Sequence, residues 1–312
     1  MTIAIIGATS FLGKTLISEL KERNHQLHLF SRTNSFQFMP TAQWHPYNYP
    51  LTPLDTAVLM DFDLIFYCAG AGIQPRHKDN DQTIYELNAF EPIRLITKLK
   101  EADYKGKLVT FGSYFEIGNH SEERLYTEKE LVAHNNPLPN TYCTAKNLLT
   151  RFIDLELRKE QALPYCLQHF ILTNIYGATE NDNRLIPYIV QSSIKQEALN
   201  FTSGEQQRQY THIRDITQFL FQTLENKESG IFNLTNSQTI SVRDMIEKVL
   251  HIIQGELDIQ PQVTFGTVNK RDVSMKYLGL NTSHLQNCFN FAPKISLEQG
   301  IKEYINLYAQ IS

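Results

Sequence analysis

The stretch that most constrains this chain is its first fifteen residues, MTIAIIGATSFLGKT. An apolar run from Ile3 to Ile6 meets Gly7, and a short Ala8-Thr9-Ser10 turn follows. Phe11, Leu12, Leu16, Ile17 and Leu20 then recur at the spacing of one helical face. Strand, glycine turn and helix in that order open a βα unit. The N-terminus of such a helix directs unpaired N–H groups and the positive end of its dipole beyond the strand, where a dinucleotide pyrophosphate fits. The candidates for holding one are Gly7, Thr9, Ser10, Phe11, Leu12 and Gly13. Gly7 permits the tight turn and Gly13 a close helix–sheet contact. The spacing is Gly-x-x-Ser-x-x-Gly rather than Gly-x-Gly-x-x-Gly, and a glycine-bounded turn also occurs without a ligand.

The rest of the chain repeats the unit. Residues 25–30 read as a second strand ending at Ser31-Arg32, the place where such a unit meets the adenosine ribose. An acidic residue there favours NAD. An arginine beside a small hydroxyl residue favours the 2′-phosphate of NADP, although a solvated loop arginine looks the same in sequence. A short third strand is expected near Gln43-Trp44 and a short helix at 57–61. The run 63–68 reads as a central parallel strand covered on both faces. It ends in Ala69-Gly70-Ala71-Gly72, small enough for a cofactor to approach, or simply a flexible turn. A helix is expected over 83–100 with Asn88 among its apolar residues, then a strand over 107–111 ending at Gly112-Ser113. A polar loop spans 118–136, followed by a helix from 137 to about 161 and a strand over 165–172. This alternation indicates a doubly wound parallel sheet of the Rossmann type.

Beyond Asn174 the texture changes, with a loop at 174–177 and helices at 185–196, 215–226, 242–253 and 297–308. Strands are expected at 206–212 and 230–234. The division expected is a dinucleotide-binding part over 1–173, to which 206–235 returns, and a smaller mixed α/β substrate lobe over 174–312. At 312 residues there is length for both. A net charge of -4 offers no basic surface, so no nucleic acid is expected. No run approaches the roughly 18 apolar residues of a membrane span, and no leader pattern precedes the first strand. Cys68, Cys143, Cys166 and Cys288 lack CxxC spacing. A cytoplasmic protein with reduced thiols and no metal is expected.

Tyr142 and Lys146 are four apart, hence on one helix face, and no other of the 15 tyrosines has a lysine at that offset. About one such pair is expected by chance, so position matters more than spacing. The helix they open follows a strand ending in Ser113, on the edge where parallel strands present ligands. Chemically the three form a carbonyl-reduction set. A phenol has an unperturbed pKa of about 10, which a nearby ammonium and an oxidised nicotinamide would lower. Tyr142 can then serve as acid or base, and Ser113 can bond the reacting oxygen. Lys146 can reach the nicotinamide ribose hydroxyls.

With these residues in place, the chain resembles the extended short-chain dehydrogenases/reductases, which include nucleotide-sugar epimerases, dehydratases and 4-ketoreductases. The resemblance rests on GATSFLG at 7–13, DLIFYCAG at 63–70, LNAFEP around Asn88 and FGSYFEIG at 111–118. YCTAK at 142–146, NIYGA at 174–178, RQYTHIRDI at 208–216 and IFNLT at 231–235 continue it in order. It implies cofactor contacts from Ala69, Gly70, Asn88, Tyr142 and Lys146, and substrate contacts from Ser113, Asn174 and Arg208. Arg208 belongs at the phosphates, where a guanidinium matches oxygens bidentately; a surface salt bridge is its alternative. A homodimer through the helices at 83–100 and 137–161 is also implied.

The chain makes four departures from the family pattern: Ser10 for a glycine, Ile117 for a tyrosine, Ile171-Leu172 for a segment with an arginine, and Ala178 for a proline. Family dehydratases carry Thr-Asp-Glu where this chain has Ser113-Tyr114-Phe115, and elimination of water needs those carboxyl groups. The expectation is therefore an NADPH-dependent reductase of a nucleotide-linked 4-keto-6-deoxysugar. An NAD-dependent epimerase is the alternative, and a non-catalytic NADP(H) sensor a remote one.

Overall fold

A computed structural model describes residues 1–312 except 38, 40, 41, 73–78, 268–274 and 310–312. The first unit runs β1 (Thr2–Ile6), α1 (Phe11–Leu20), β2 (Gln26–Ser31), β3 (Ala42–Pro46) and β4 (Leu64–Tyr67). Next come α2 (Asp81–Tyr85), a π turn (Glu86–Phe90), α3 (Glu91–Glu101), β5 (Lys107–Ser113) and a 3-10 turn (Tyr114–Ile117). They are followed by α4 (Glu128–Ala133), α5 (Thr141–Leu157), β6 (Cys166–Leu172), β7 (Asn174–Tyr176), α6 (Leu185–Ile194) and β8 (Leu199–Phe201). The remainder is β9 (Gln207–Arg208), β10 (Tyr210–His212), α7 (Ile213–Gln222), β11 (Gly230–Leu234), β12 (Ile240–Ser241), α8 (Val242–Leu257), β13 (Val263–Phe265), α9 (Ser283–Phe289) and α10 (Leu297–Ala309).

Seven strands form one parallel sheet in the order β11-β6-β5-β4-β1-β2-β3. The doubly wound sheet read from the strand–helix alternation is thus present. Its continuous apolar strands follow from burial on both faces. Ala4, Ile6, Ile65 and Tyr67 pack with Leu95 and Leu99 of α3 and Leu149 and Ile153 of α5. Their neighbours Ile3, Ile5, Leu64 and Phe66 pack with Leu16 and Leu20 of α1 and Ile216 and Phe219 of α7. A third apolar cluster joins Ile189 and Val190 of α6, Val249 and Ile253 of α8, and Ile301 and Tyr304 of α10. Of 206–235, β11 joins the sheet beside β6, whereas β10 pairs with β7 and β9 with β12.

Three expectations are corrected. The 83–100 helix is interrupted by the π turn, where the N–H of Glu91 bonds the carbonyl of Glu86. Pro92 has no N–H to offer the carbonyl of Asn88, which disfavours regular α pairing there. The 118–136 stretch is not all loop. Thr127 caps α4 reciprocally with Glu130, and the backbone N–H of Asn233 donates to Glu128 at 2.8 Å, tying α4 to β11. Asn174–Tyr176, expected as loop, is the parallel partner of β10.

The first turn obeys a steric limit. Gly7 has φ +81°, and a β-carbon there would stand 2.5 Å from the backbone N of Ala69. One on Gly13 would stand 2.6 Å from the carbonyl oxygen of Gly7. Gly7→Ala combines an unfavourable φ with backbone overlap, and is expected to cost about 1–3 kcal/mol of stability. Urea denaturation reads this directly; an unchanged midpoint would mean that the β1–β4 contact yields.

Candidate active site

The C-terminal ends of β1, β4 and β5 lie side by side, and Gly7, Ala69 and Ser113 stand at them. At the first end Ser10 is the N-cap of α1, its Oγ accepting from the N–H of Gly13 at 3.0 Å. This explains the departure from glycine: the serine closes the helix start that the turn opens. The first-turn N–H groups of Phe11 and Leu12 have no helical carbonyl to bond. The Leu12 side chain is buried in the core, so only its backbone faces outward. Thr9 completes the turn. At the second end, Gly70 is exposed and Ala69 partly so. Behind them Asn88, fully buried, donates to the carbonyls of Ala71 (2.9 Å) and Ile84 (2.8 Å). Its Oδ1 is buried without a partner, 2.9 Å from where a β-carbon on Gly70 would stand. An open glycine turn, first-turn N–H groups and this unused acceptor fit a dinucleotide.

Ser31 and Arg32 lie apart from Ser113, since β2 is on the far side of β1 from β4 and β5. The Ser31 hydroxyl turns inward, donating to the carbonyl of Thr33 (2.8 Å) and accepting from the Trp44 indole (3.1 Å). Arg32 is exposed just beyond it.

At the third end, Ser113 closes β5 and caps the 3-10 turn. Its hydroxyl stands beside that of Tyr142, which projects from the first turn of α5, near enough to lower the pKa of that phenol. One turn on, Lys146 is buried, and its Nζ donates to the carbonyl of Phe111 at 2.8 Å. Ser113, Tyr142 and Lys146 are therefore brought together. Burial pushes the Tyr142 phenol well above its ordinary value; Ser113 and Arg184 oppose this and Glu116 reinforces it. The lowering expected from Lys146 does not appear in the protein alone, where loss of water around the phenol prevails. Glu116, two residues past Tyr114 in the 3-10 turn, is fully buried and accepts the backbone N–H of Ser113 at 2.6 Å.

A second group stands nearby. Asn174 on β7 lies opposite Tyr210 of β10 in the parallel pair, close enough to lower that phenol's pKa. Arg208 on β9 is only 3 % exposed, and its guanidinium donates to the carbonyls of Gln207 (2.8 Å) and Lys276 (3.4 Å). It is thus no solvated surface arginine. Arg184, the N-cap of α6, links the two groups: it is close enough to influence both Tyr142 and Tyr210, and pairs with buried Glu180 at 3.6 Å. Sequence reasoning missed Arg184 and Glu180, which match no motif and matter only through tertiary placement. It also missed Tyr304 of α10, whose hydroxyl accepts from the N–H of Gly177 at 2.7 Å and bonds Glu180. Tyr304→Phe leaves both groups without that partner, and is expected to lower stability by about 1–3 kcal/mol in urea denaturation.

Residues 3–235 match the model of the NAD dependent epimerase/dehydratase family. The chain is 22% identical over 313 residues to the CDP-abequose synthase of Salmonella muenchen, covering 98% of this chain and 97% of that protein. It is 21% identical to the GDP-6-deoxy-D-mannose reductase of Pseudomonas aeruginosa, over 97% and 95% respectively. In structure it is similar to the UDP-glucuronic acid 4-epimerase of Bacillus cereus in complex with UDP-glucuronic acid and NAD. That similarity has a TM-score of 0.81 at 15% identity and covers all of both chains; at such identity the likeness is one of fold. The order of motifs, the parallel sheet and the match over three quarters of the sequence agree, and the chain belongs to the NAD dependent epimerase/dehydratase family.

Proposed function

We propose that the protein is an NADPH-dependent reductase of a nucleotide-linked 4-keto-6-deoxysugar. The observation that carries this reading is the juxtaposition of Ser113 and Tyr142 beside buried Lys146, on the edge that also carries the Gly7 turn. Residues 1–173, with α7 and β11, would hold the dinucleotide, and residues 174–312 mainly the sugar. The N–H groups of Phe11 and Leu12 face the pyrophosphate across the turn that Gly7, Thr9, Ser10 and Gly13 shape, and Arg32 faces the 2′-phosphate, while Ala69 and Gly70 leave space that Asn88 braces. Bound NADPH supplies the hydride. Tyr142 gives its proton to the carbonyl oxygen, and Ser113 donates a hydrogen bond as negative charge grows there. A phenol kept protonated by burial suits this direction of reaction. Lys146, with one N–H on Phe111, turns the others to the ribose hydroxyls. Asn174 and Arg208 serve the nucleotide sugar, with Arg184 near the reacting end.

Dehydration finds little support. In the turn after Ser113, Tyr114 is fully buried in the core and Phe115 carries no acid. Glu116, the one carboxylate of that turn, is directed to the backbone of Ser113. A named reductase among the relatives supports the reduction reading.

The reading predicts that purified protein consumes NADPH, and NADH more slowly, with such a keto sugar. Tyr142→Phe should lower kcat by about 10²–10⁴-fold. Interconversion of two nucleotide hexoses without added cofactor would instead make the protein an epimerase, and an undiminished biological role in Tyr142→Phe would make it a sensor.

A homodimer is part of the same reading. Leu148 and Leu155 of α5 are 40% and 57% exposed, and Phe90 of the π turn 40%. Leu148 and Leu155 are seven apart, on one helix face. Light scattering should give twice the chain mass, and Leu155→Arg should shift the population toward one chain.

A further inference from the structure

We propose that Glu116 is a positioning residue for the reaction, its buried carboxylate serving as counter-ion of the Lys146 ammonium while fixing the backbone of Ser113. The proposal rests on the roles given above to Ser113, Tyr142 and Lys146.

The geometry is specific. Glu116 is fully buried in the 3-10 turn, and its Oε1 accepts the N–H of Ser113 at 2.6 Å. Gly112 makes room for it: a β-carbon there would stand 2.7 Å from that Oε1 and 2.8 Å from the Nε2 of His169. Behind the carboxylate the Thr150 hydroxyl, one turn beyond Lys146, bonds His169 Nε2 at 2.9 Å, and His169 Nδ1 meets Thr110 at 2.7 Å. A carboxylate placed here is shut off from water, so its charge needs a partner inside the protein.

The groups facing it identify that partner. From α5 come Lys146, Tyr142 and the Thr150 hydroxyl. From β6 comes His169, which burial pushes down to about 3 and leaves neutral. His134 lies toward the backbone of Glu116, with its Nδ1 accepting the N–H of Asn136 at 3.2 Å, and Arg184 approaches Tyr142 rather than the carboxylate. Lys146 Nζ rests on the carbonyl of Phe111, two residues before the Ser113 N–H that holds Glu116 Oε1, while Glu116 Oε2 is buried with no hydrogen-bond partner among the described residues. The two charges thus act on one another inside the protein without a direct ion-pair contact. From the end of β4 the thiol of Cys68, which burial pushes up, also faces Lys146. Burial pushes Glu116 up and Lys146 down, and each charge supports the other. Ionised Glu116 thus favours the ammonium of Lys146 and disfavours the phenolate of Tyr142. Both effects suit a proton donor for reduction.

Glu116→Gln tests this, because the amide keeps an oxygen for Ser113 and nearly the same volume while losing the charge. Without its counter-ion Lys146 should lose its proton at lower pH. The alkaline limb of kcat for keto-sugar reduction should move down by about one pH unit or more, a loss of about tenfold on that limb. Lysine labelled with 13C, assigned through Lys146→Arg, should show the same displacement in the Lys146 Cε titration. An unmoved titration and pH limb in a folded Glu116→Gln protein would overturn the proposal and leave Glu116 as a turn cap. If that variant does not fold, the wild-type carboxyl and Cε signals decide: coupled titration supports the pair, and independent titration overturns it. If the wild-type protein reduces no keto sugar, the reductase reading fails while the titration still judges Glu116.

Discussion

The backbone of Gly7 lies against that of Ala69 with no space for a β-carbon, and the arrangement of the site depends on that contact. It brings the ends of β1 and β4 so close that the first turn and the second share one edge. Only a residue with φ near +81° and no side chain serves there. The capped start of α1 then points its N–H groups across that edge. β5, paired with β4 from Leu64↔Lys107 to Tyr67↔Thr110, places Ser113 beyond the same line. One steric fact near the start of the chain therefore fixes the frame in which the other groups meet.

Much of this frame is legible in the sequence because it rests on local rules. The apolar runs at Ile3–Ile6 and 64–67 announce strands buried on both faces, and the Tyr142/Lys146 offset announces a shared helix face. One miss was avoidable: Thr127 and Glu130 have the reciprocal cap spacing that marks the start of α4. Other features were not local. The strand character of Asn174–Tyr176 comes from its pairing with β10, more than thirty residues on. The importance of Arg184 lies in what folds against it. The Tyr142 phenol shows a third limit, since its acidity follows from burial that no spacing encodes.

The fold also shows how buried polar groups are tolerated away from the site. Lys107 opens β5 deep in the structure, and its Nζ donates to the carbonyls of Thr223 (2.7 Å) and Asn226 (3.1 Å) just past α7. The Thr223 carbonyl also accepts the N–H of Asn226 (3.0 Å), and a cation just past the C-terminus of α7 meets the negative end of its dipole. Asn233 of β11 donates its amide to the carbonyls of Tyr126 and Asn281, both at 2.9 Å, so two irregular segments are held on the sheet by one side chain. The nitrogen of each side chain is buried against backbone carbonyls, which lowers the cost of its burial.

The Tyr304 clasp has a consequence for how the molecule comes into being. The N–H of Gly177 finds its partner 127 residues later in the chain. During synthesis the sheet as far as β6 can assemble while α10 does not yet exist, because domains and their parts fold as the chain emerges. The segment between β7 and α6, with Glu180 and Arg184, must wait. Contacts of such long sequence separation close late and slowly. The nascent protein thus has a complete glycine turn well before it has a fixed Arg184, and the last helix completes a loop that the first strands leave open.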